Sequence, residues 1–178
     1  GLLVAETNEE ARDYFDDFLK YAVAVGDDHE SLGLALQDLG TRNVGRSYTR
    51  DGESAQALET YQDIGVERRI AADYLTIADL QKQTYDYGGA ETTYNDLIEI
   101  GLETGNLGVV AQGISKLGEL HISRGDYSEA VAEYDAAFND AALAEYKDYF
   151  AEKLVEAIVE EDIHSESIFS GDVDELKE

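Results

Sequence analysis

The apolar residues of this chain recur mostly at intervals of three and four, which is the spacing of residues along one face of an α-helix. The chain contains no proline, the residue that most often interrupts helices. We therefore predict an all-α protein. The predicted helices span residues 7–25, 28–50, 54–64, 67–85, 88–103, 107–124, 127–139 and 142–160.

Segments about 40 residues apart resemble one another, so the helices form a tandem array. The segment that begins at Gln83 aligns with the segment that begins at Ser123. Four positions are identical between the two: Asp86 and Asp126, Tyr87 and Tyr127, Ala90 and Ala130, and Tyr94 and Tyr134. The glycines at positions 26, 65 and 105 keep nearly the same spacing. Each repeat then corresponds to one pair of helices.

The stretch AQGISKLGELHISRGDYSEAVAEYDAAF, residues 111–138, carries the clearest pattern. It resembles a tetratricopeptide repeat. The positions that match are Leu117, Gly118, His121, Gly125, Ala130, Tyr134 and Ala137. Ile114 replaces the usual Trp, and Ala142 stands where proline is common. The resemblance covers about residues 10–150, and the linker before residue 111 is similar to a longer-repeat variant.

The register of the first repeat is open between two alternatives. Val44 and Gly45 match the small pair of the first helix, and Leu39 and Gly40 match it almost as well.

The resemblance implies an all-α, tetratricopeptide-like superhelix, a solenoid of about three full helix pairs with terminal capping helices. We expect this repeat domain to span residues 1–160. Residues 161–178 are expected to form an acidic, weakly ordered C-terminal tail.

The chain is strongly acidic, with 40 Asp and Glu against 13 Lys and Arg and a net charge of -27. Such repulsion is severe in dilute salt and largely screened at molar salt. The composition is typical of a halophile, and we expect the high-salt cytoplasm of such an organism. An acidic protein from an ordinary cell is the alternative. The 12 Tyr and 5 Phe argue against a disordered chain.

Several classes of function are disfavoured. Nucleic-acid binding is disfavoured because Lys and Arg must neutralise phosphates, and this surface is mostly of the opposite sign. Membrane-surface binding is disfavoured because no predicted helix has a cationic face beside a bulky apolar one. The chain has no cysteine and no phosphate loop, nucleophile elbow or His-Glu-x-x-His motif. The sequence EEDIHSES around His164 could gather a cation, but a solvated acidic tail explains it equally. We therefore expect no enzymatic activity, no cofactor and no metal.

Three arginines spaced four apart form one stripe on a predicted helix. The resemblance implies that the first helix of each pair lines a concave groove. In the register that uses Val44 and Gly45, Arg42 and Arg46 occupy groove positions. Other groove positions are occupied by Thr76, Gln112 and Lys116. Of these, Thr76 and Gln112 depart from the family's Asn and Lys. The candidate groove residues are Arg42, Arg46, Arg50, Lys82, Gln83 and Lys116. The alternative is a surface ion-pair network. Its partners would be Asp38, Asp51, Glu53 or Glu59.

The expected function is that of an interaction scaffold which binds a peptide or protein segment in the groove. The arginines favour an acidic partner. One alternative is a homo-oligomer assembled through terminal helices, suggested by apolar residues late in the chain. These are Tyr149, Phe150, Leu154, Val155 and Ile158. A sensor or regulatory module cut from a larger protein is another alternative, and the lack of any Met suggests that Gly1 is not the native start.

Overall fold

The computed structural model describes residues 8–28 and 30–175. Within these ranges all regular secondary structure is helical, which confirms the all-α prediction. The α-helices are α1 (Asn8–Asp28), α2 (Glu30–Asp51), α3 (Ser54–Gln62), α4 (Ala71–Gln83), α5 (Tyr87–Glu103), α6 (Leu107–Arg124), α7 (Tyr127–Asn139) and α8 (Lys147–Glu175). Short 3-10 helices span Val66–Arg68 and Ala141–Tyr146.

The helices predicted over 107–124 and 127–139 have the expected bounds, whereas the other six differ at one or both ends, most of all α4 and α8. Helix α4 begins at Ala71 and not at residue 67, because Arg69 and Ile70 have extended backbone conformations. Helix α8 continues to Glu175, past the end expected at residue 160, since no proline or early glycine interrupts it. The segment expected to be an acidic tail is thus helical as far as Glu175. Its weak order stays a prediction.

The chain divides into two compact units, Gly1–Ala90 and Glu91–Glu178. In the first unit α1 packs against α2, α2 against α3, and α3 against α4. The centre of this unit is an apolar cluster shared by α3 and α4 and the loop between them. Its buried members are Ala57, Tyr61, Ile64, Ile77 and Leu80.

In the second unit α6 packs against α7, and α7 against α8. Helices α7 and α8 are antiparallel: the ammonium group of Lys147 lies 4.6 Å from the ring of Phe138, and the ring of His164 lies 4.4 Å from that of Tyr127. The core of this unit is a second apolar cluster. Its buried members are Val110, Ala111, Ala130, Tyr134, Ala137, Leu143, Phe150 and Ala157.

The same glycine–tyrosine contact occurs in both units. Gly45 of α2 lies against the ring of Tyr61, 16 residues later, and Gly118 of α6 lies against the ring of Tyr134, also 16 residues later. A glycine at these positions leaves room for a tyrosine ring between paired helices, because a Cβ atom would collide with it. Gly40 instead faces α1, so Gly45 is the structural equivalent of Gly118.

The turns between paired helices share one backbone feature. Gly52, Gly105 and Gly125 each have a positive φ, as helix-ending glycines commonly do. Tyr85, between α4 and α5, has a φ of 64° and is 81% exposed. A tyrosine therefore holds a conformation that glycine adopts at the other turns.

Helices that follow one another in the chain pack together within each unit, which is the arrangement expected of a helical repeat. The superhelix and the single repeat domain over residues 1–160 stay predictions.

Candidate functional site

Arg42, the first arginine of the predicted groove, is held by Asp73 at the start of α4. Its Nε donates to Oδ1 of Asp73 at 2.8 Å, and its Nη2 donates to Oδ2 at 2.7 Å. Nη2 also donates to the backbone carbonyl of Arg68 at 3.1 Å. The hydrogen bond to Asp73 raises the pKa of Arg42 above its ordinary value. A guest carboxylate would have to displace Asp73 to reach this guanidinium.

Asp73 also fixes the beginning of α4. Its Oδ2 accepts a hydrogen bond from the backbone N–H of Ile70 at 3.0 Å. A second ion pair lies nearby, in which Nε of Arg68 donates to Oδ2 of Asp38 on α2 at 3.1 Å. Both carboxylates are buried. Two ion pairs thus join α2 to the segment that leads into α4.

Among the described residues Arg42 does form an ion pair, but its partner is Asp73 and not one of the four acids predicted for the arginine row. Asp38 pairs with Arg68, and Asp51 pairs with Arg12 at 2.6 Å. Asp73 was not among the acids singled out from the sequence. It lies 31 residues from Arg42, and no sequence signal distinguishes it among the acids of such a chain.

The other two arginines of the row are exposed at the C-terminal half of α2. Nη1 of Arg46 donates to Oδ1 of Asn43 at 3.5 Å. Arg46 also lies close enough to Tyr61 for its charge to oppose the rise in the Tyr61 pKa that burial causes. Arg50 is in the last turn of α2. The row is therefore divided: Arg42 is held by Asp73, whereas Arg46 and Arg50 are open to solvent.

The remaining predicted groove residues lie in separate units. In the first unit Oε1 of Gln83 accepts a hydrogen bond from Ser54 at 2.6 Å, and Lys82 is half-buried in the last turn of α4. In the second unit Nζ of Lys116 donates to Oε2 of Glu119 at 2.7 Å.

Lys116 lines a pocket within the second unit. The pocket lies between α6, the 3-10 helix that follows α7, and the start of α8, and has a volume of about 350 Å³. It is lined by Gly108, Ala111, Gln112, Ser115, Lys116, Glu119, Tyr146 and Tyr149. The six residues of α6 recur at intervals of three and four, so the pocket follows one face of that helix.

The lining residues differ in size and exposure. Ala111 and Ser115 are buried and small, and Gly108 has no side chain. Tyr146 and Tyr149 contribute two aromatic rings from the opposite side, and Tyr149 is 41% exposed.

A pair of hydroxyl groups joins α6 to α8 beside the pocket. The Oγ of Ser115 is hydrogen-bonded to the hydroxyl of Tyr149. The backbone carbonyl of Ser115 accepts a hydrogen bond from the hydroxyl of Tyr134 on α7 at 3.2 Å. Burial raises the pKa of Tyr134, and Glu119 adds to the rise. Ser115 therefore connects α6 to both following helices.

The pocket is only partly predictable from the sequence. The family resemblance points to Gln112 and Lys116. Ser115 and Tyr149 were missed as partners because 34 residues separate them. The sequence does contain one signal for the side of the pocket that α6 forms, which is the run of residues at helical spacing from Gly108 to Glu119.

Among residues 8–28 and 30–175, no three His, Asp or Glu side chains are grouped to hold a metal ion. No helix in the described part of the chain has an apolar stretch long enough to cross a bilayer. His121 is buried, and its Nδ1 has no hydrogen-bond partner among the residues that the structure describes. The hydroxyl of Tyr127 lies 2.9 Å from Nε2 of His164, which links α7 to α8.

No protein-family model, curated protein or solved structure significantly matches this chain. Membership of the tetratricopeptide family stays a prediction.

Proposed function

We propose that this chain is a non-catalytic interaction module which binds a segment of another protein along the groove side of its helix pairs. One observation carries the proposal. Gln112 and Lys116, which the family resemblance assigns to the groove, line an open pocket of about 350 Å³. Pockets that bind small ligands begin at about 300 Å³, so this volume can accept one side chain of a guest.

The lining groups are suited to contact and hydrogen bonding. The pocket has two aromatic rings, an exposed amide and a paired Lys and Glu. Aromatic rings are enriched at protein interfaces because they combine apolar area with few rotatable bonds. The exposed Arg46 and Arg50 remain candidate contacts in the first unit, and an acidic partner would use them and not Arg42.

A photo-crosslinking experiment tests this proposal. The photoreactive residue p-benzoylphenylalanine replaces Gln112 on the pocket rim, and in a control it replaces Ala136, which is exposed on α7. Each variant is irradiated in a high-salt lysate of the source organism. We expect a discrete cross-linked protein from position 112 and not from position 136. Equal cross-linking from both positions, or none from position 112, would remove the pocket from the binding surface.

Adaptation to high salt is part of the proposal. It is supported by the net charge of -27. We expect the urea midpoint of unfolding to rise as KCl increases from millimolar to molar, because screening weakens the repulsion between carboxylates. A midpoint that is independent of salt would contradict the adaptation and leave the binding proposal intact.

A homo-oligomer is the second candidate, and an exposed stripe on α8 favours it. Phe150 and Leu154, which suggested such a contact in the sequence, instead pack in the core of the second unit. Four exposed apolar residues of α8 recur at helical spacing: Val155, Ile158, Val159 and Ile163. A copy of the chain would bury this stripe.

Light scattering at molar KCl tests the oligomer. We expect a dimer of the unsubstituted chain to dissociate on Val159→Glu, which introduces a charge into the stripe. Glu152→Gln, at an exposed position near the same stripe, is the control and should leave the mass unchanged. A monomer at all concentrations would exclude this candidate.

A further inference from the structure

We propose that the pocket on α6 accepts an uncharged aromatic side chain of the guest segment. This inference rests on the proposed function and adds the chemical class of the group that is bound. It follows from the residues that line the pocket, from its charge, and from the hydrogen-bonding groups at its rim.

The lining of the pocket suits an aromatic ring. Gly108, Ala111 and Ser115 form a wall of small residues along α6, and Tyr146 and Tyr149 present aromatic rings from the other side. A guest ring in the pocket can pack against one of these tyrosine rings at the 4.5–7 Å centroid distance that aromatic pairs favour.

The charge of the lining excludes a strongly charged guest group. Lys116 and Glu119 are the charged side chains that line the pocket, and they form an ion pair with each other at 2.7 Å. Their charges cancel. A carboxylate or an ammonium group of the guest would lose its hydration without gaining an uncompensated opposite charge.

Hydrogen bonding at the rim suits a neutral partner. The hydroxyls of Ser115 and Tyr149 are hydrogen-bonded to each other, which uses one donor and one acceptor of the pair. The amide of Gln112 is exposed on the rim and offers both a donor and an acceptor. It can bind the backbone beside an inserted ring or a polar group at the edge of the ring, as in tyrosine or tryptophan.

Molar salt favours this mode of recognition. Ion pairs between exposed groups are screened at a Debye length of about 3 Å, whereas burial of apolar surface is not weakened by this screening. An apolar side chain therefore provides binding energy where a charged one does not.

The absence of tryptophan from the chain provides a direct assay. The probe is acetyl-Ala-Ala-Trp-Ala-Ala-amide, which has no charge at either end. Excitation at the long-wavelength edge of absorption selects its indole over the tyrosines of the protein. We expect the emission to shift to shorter wavelength as the full chain is added at molar KCl. Versions of the peptide with Tyr or Phe in place of Trp should compete about tenfold better than versions with Asp or Lys, since burying a ring is worth more than about 1.4 kcal/mol.

A filled pocket and a matched control locate the binding site. Gly108→Leu places a side chain in the pocket, and we expect it to weaken binding of the probe at least about tenfold, the value of one lost ring contact. Gly88→Leu changes the second residue of α5, which corresponds to Gly108 in α6, and a Cβ there meets no atom within 4 Å. It should bind as the unsubstituted chain does. Circular dichroism checks that both variants fold.

The outcomes separate this inference from the proposed function. Better competition by Asp or Lys peptides, or full binding by a folded Gly108→Leu variant, would overturn the aromatic assignment. Cross-linking from position 112 without any binding of the tryptophan peptide would overturn it too, while the proposed function would stand. Loss of both signals would overturn both. The competition series uses the unsubstituted chain and so decides the question even if Gly108→Leu does not fold.

Discussion

The helix pair α2–α3 of the first unit and the pair α6–α7 of the second are built on the same contact but present different surfaces. In each, a tyrosine ring lies on a glycine 16 residues before it. In each, the tyrosine hydroxyl donates to the backbone carbonyl three residues before that glycine: Tyr61 to Arg42 at 3.4 Å, and Tyr134 to Ser115 at 3.2 Å. The same glycine–tyrosine contact therefore occurs in both helix pairs.

The difference lies in two side chains on the first helix of each pair. Seven and three residues before the packed glycine, the first unit has Asp38 and Arg42, whereas the second has Ala111 and Ser115. The charged side chains form ion pairs with Arg68 and Asp73. The small side chains line the pocket.

This comparison teaches that the same glycine–tyrosine contact can lie beneath two different surfaces, one with charged side chains and one with small side chains beside a pocket. Long charged side chains in the first unit connect α2 to the segment before α4. In the second unit a hydroxyl pair makes the corresponding connection and leaves space beside it.

The largest effect should come from the buried ion pair of the first unit. Asp73→Ala leaves the guanidinium of Arg42 without its partner, and we expect a loss of about 3 kcal/mol in the free energy of unfolding. Ser115→Ala, at the corresponding link of the second unit, should cost only about 1 kcal/mol because neutral hydrogen bonds contribute less. Urea titrations at fixed molar KCl measure both. Equal losses would contradict the difference drawn between the units.

The double variant Arg42→Met with Asp73→Leu separates the charge from the packing. Replacement of a buried ion pair by apolar side chains of similar volume is often neutral or stabilising, so most of the loss should be recovered. A double variant as unstable as Asp73→Ala would show that the stability depends on the ion pair or on the bond from the Ile70 N–H to Asp73, which both variants also lose.

The next largest effect concerns the shared contact. Gly118→Ala places a Cβ atom in collision with the edge of the Tyr134 ring, which is fully buried. We expect a net loss of about 1–2 kcal/mol after the helix-favouring effect of alanine is included. Gly45→Ala should show a similar loss through Tyr61. Gly88→Ala is the control, since its Cβ meets nothing, and it should not destabilise the chain.

A smaller effect is expected from the tyrosine hydroxyls. Tyr134→Phe removes the bond to Ser115 and should cost about 1 kcal/mol. Tyr61→Phe should cost less, because its bond to Arg42 is longer. The same urea titration measures both, and a larger loss for Tyr61→Phe would reverse this order.

The smallest effect should be a gain. Tyr85→Gly puts glycine at the one non-glycine positive φ among the described residues, and we expect stability to rise by about 0.5 kcal/mol. Gly125→Ala, at the corresponding turn of the second unit, should lower it. Thermal unfolding followed by circular dichroism compares the two. A loss of stability in Tyr85→Gly would show that the exposed ring contributes more than the backbone strain costs.

Much of the fold could be predicted from the sequence because its signals are local. The helices expected at 107–124 and 127–139 are confirmed at both ends, where Asn106, Gly125 and Asp126 mark the turns. The predicted start of α4 was wrong because the observed start depends on a contact between Asp73 and Ile70, which lies in a sequence pattern that is otherwise helical.

The candidate site was harder to predict, because its geometry depends on partners far apart in the chain. The arginine row was visible as a stripe on one helix, but the sequence gives no sign that Asp73 binds Arg42. Ser115 and Tyr149 meet only through the packing of α6 against α8. Sequence periodicity assigns residues to a helix face and does not identify what lies opposite that face.

The two buried tyrosines that hold the helix pairs each carry a phenol proton, which can be lost in alkali. Burial raises the pKa of both Tyr61 and Tyr134 above the ordinary tyrosine value of 10.0. Below the tyrosine pKa of the unfolded chain, both tyrosines are protonated and their contribution to the stability of the fold is complete. As the pH rises above that pKa, the unfolded chain releases phenol protons that the folded chain retains, so the free energy of unfolding falls. We thus expect the chain to unfold in strong base, and ultraviolet difference spectra should show these two phenols ionising together with the loss of helix.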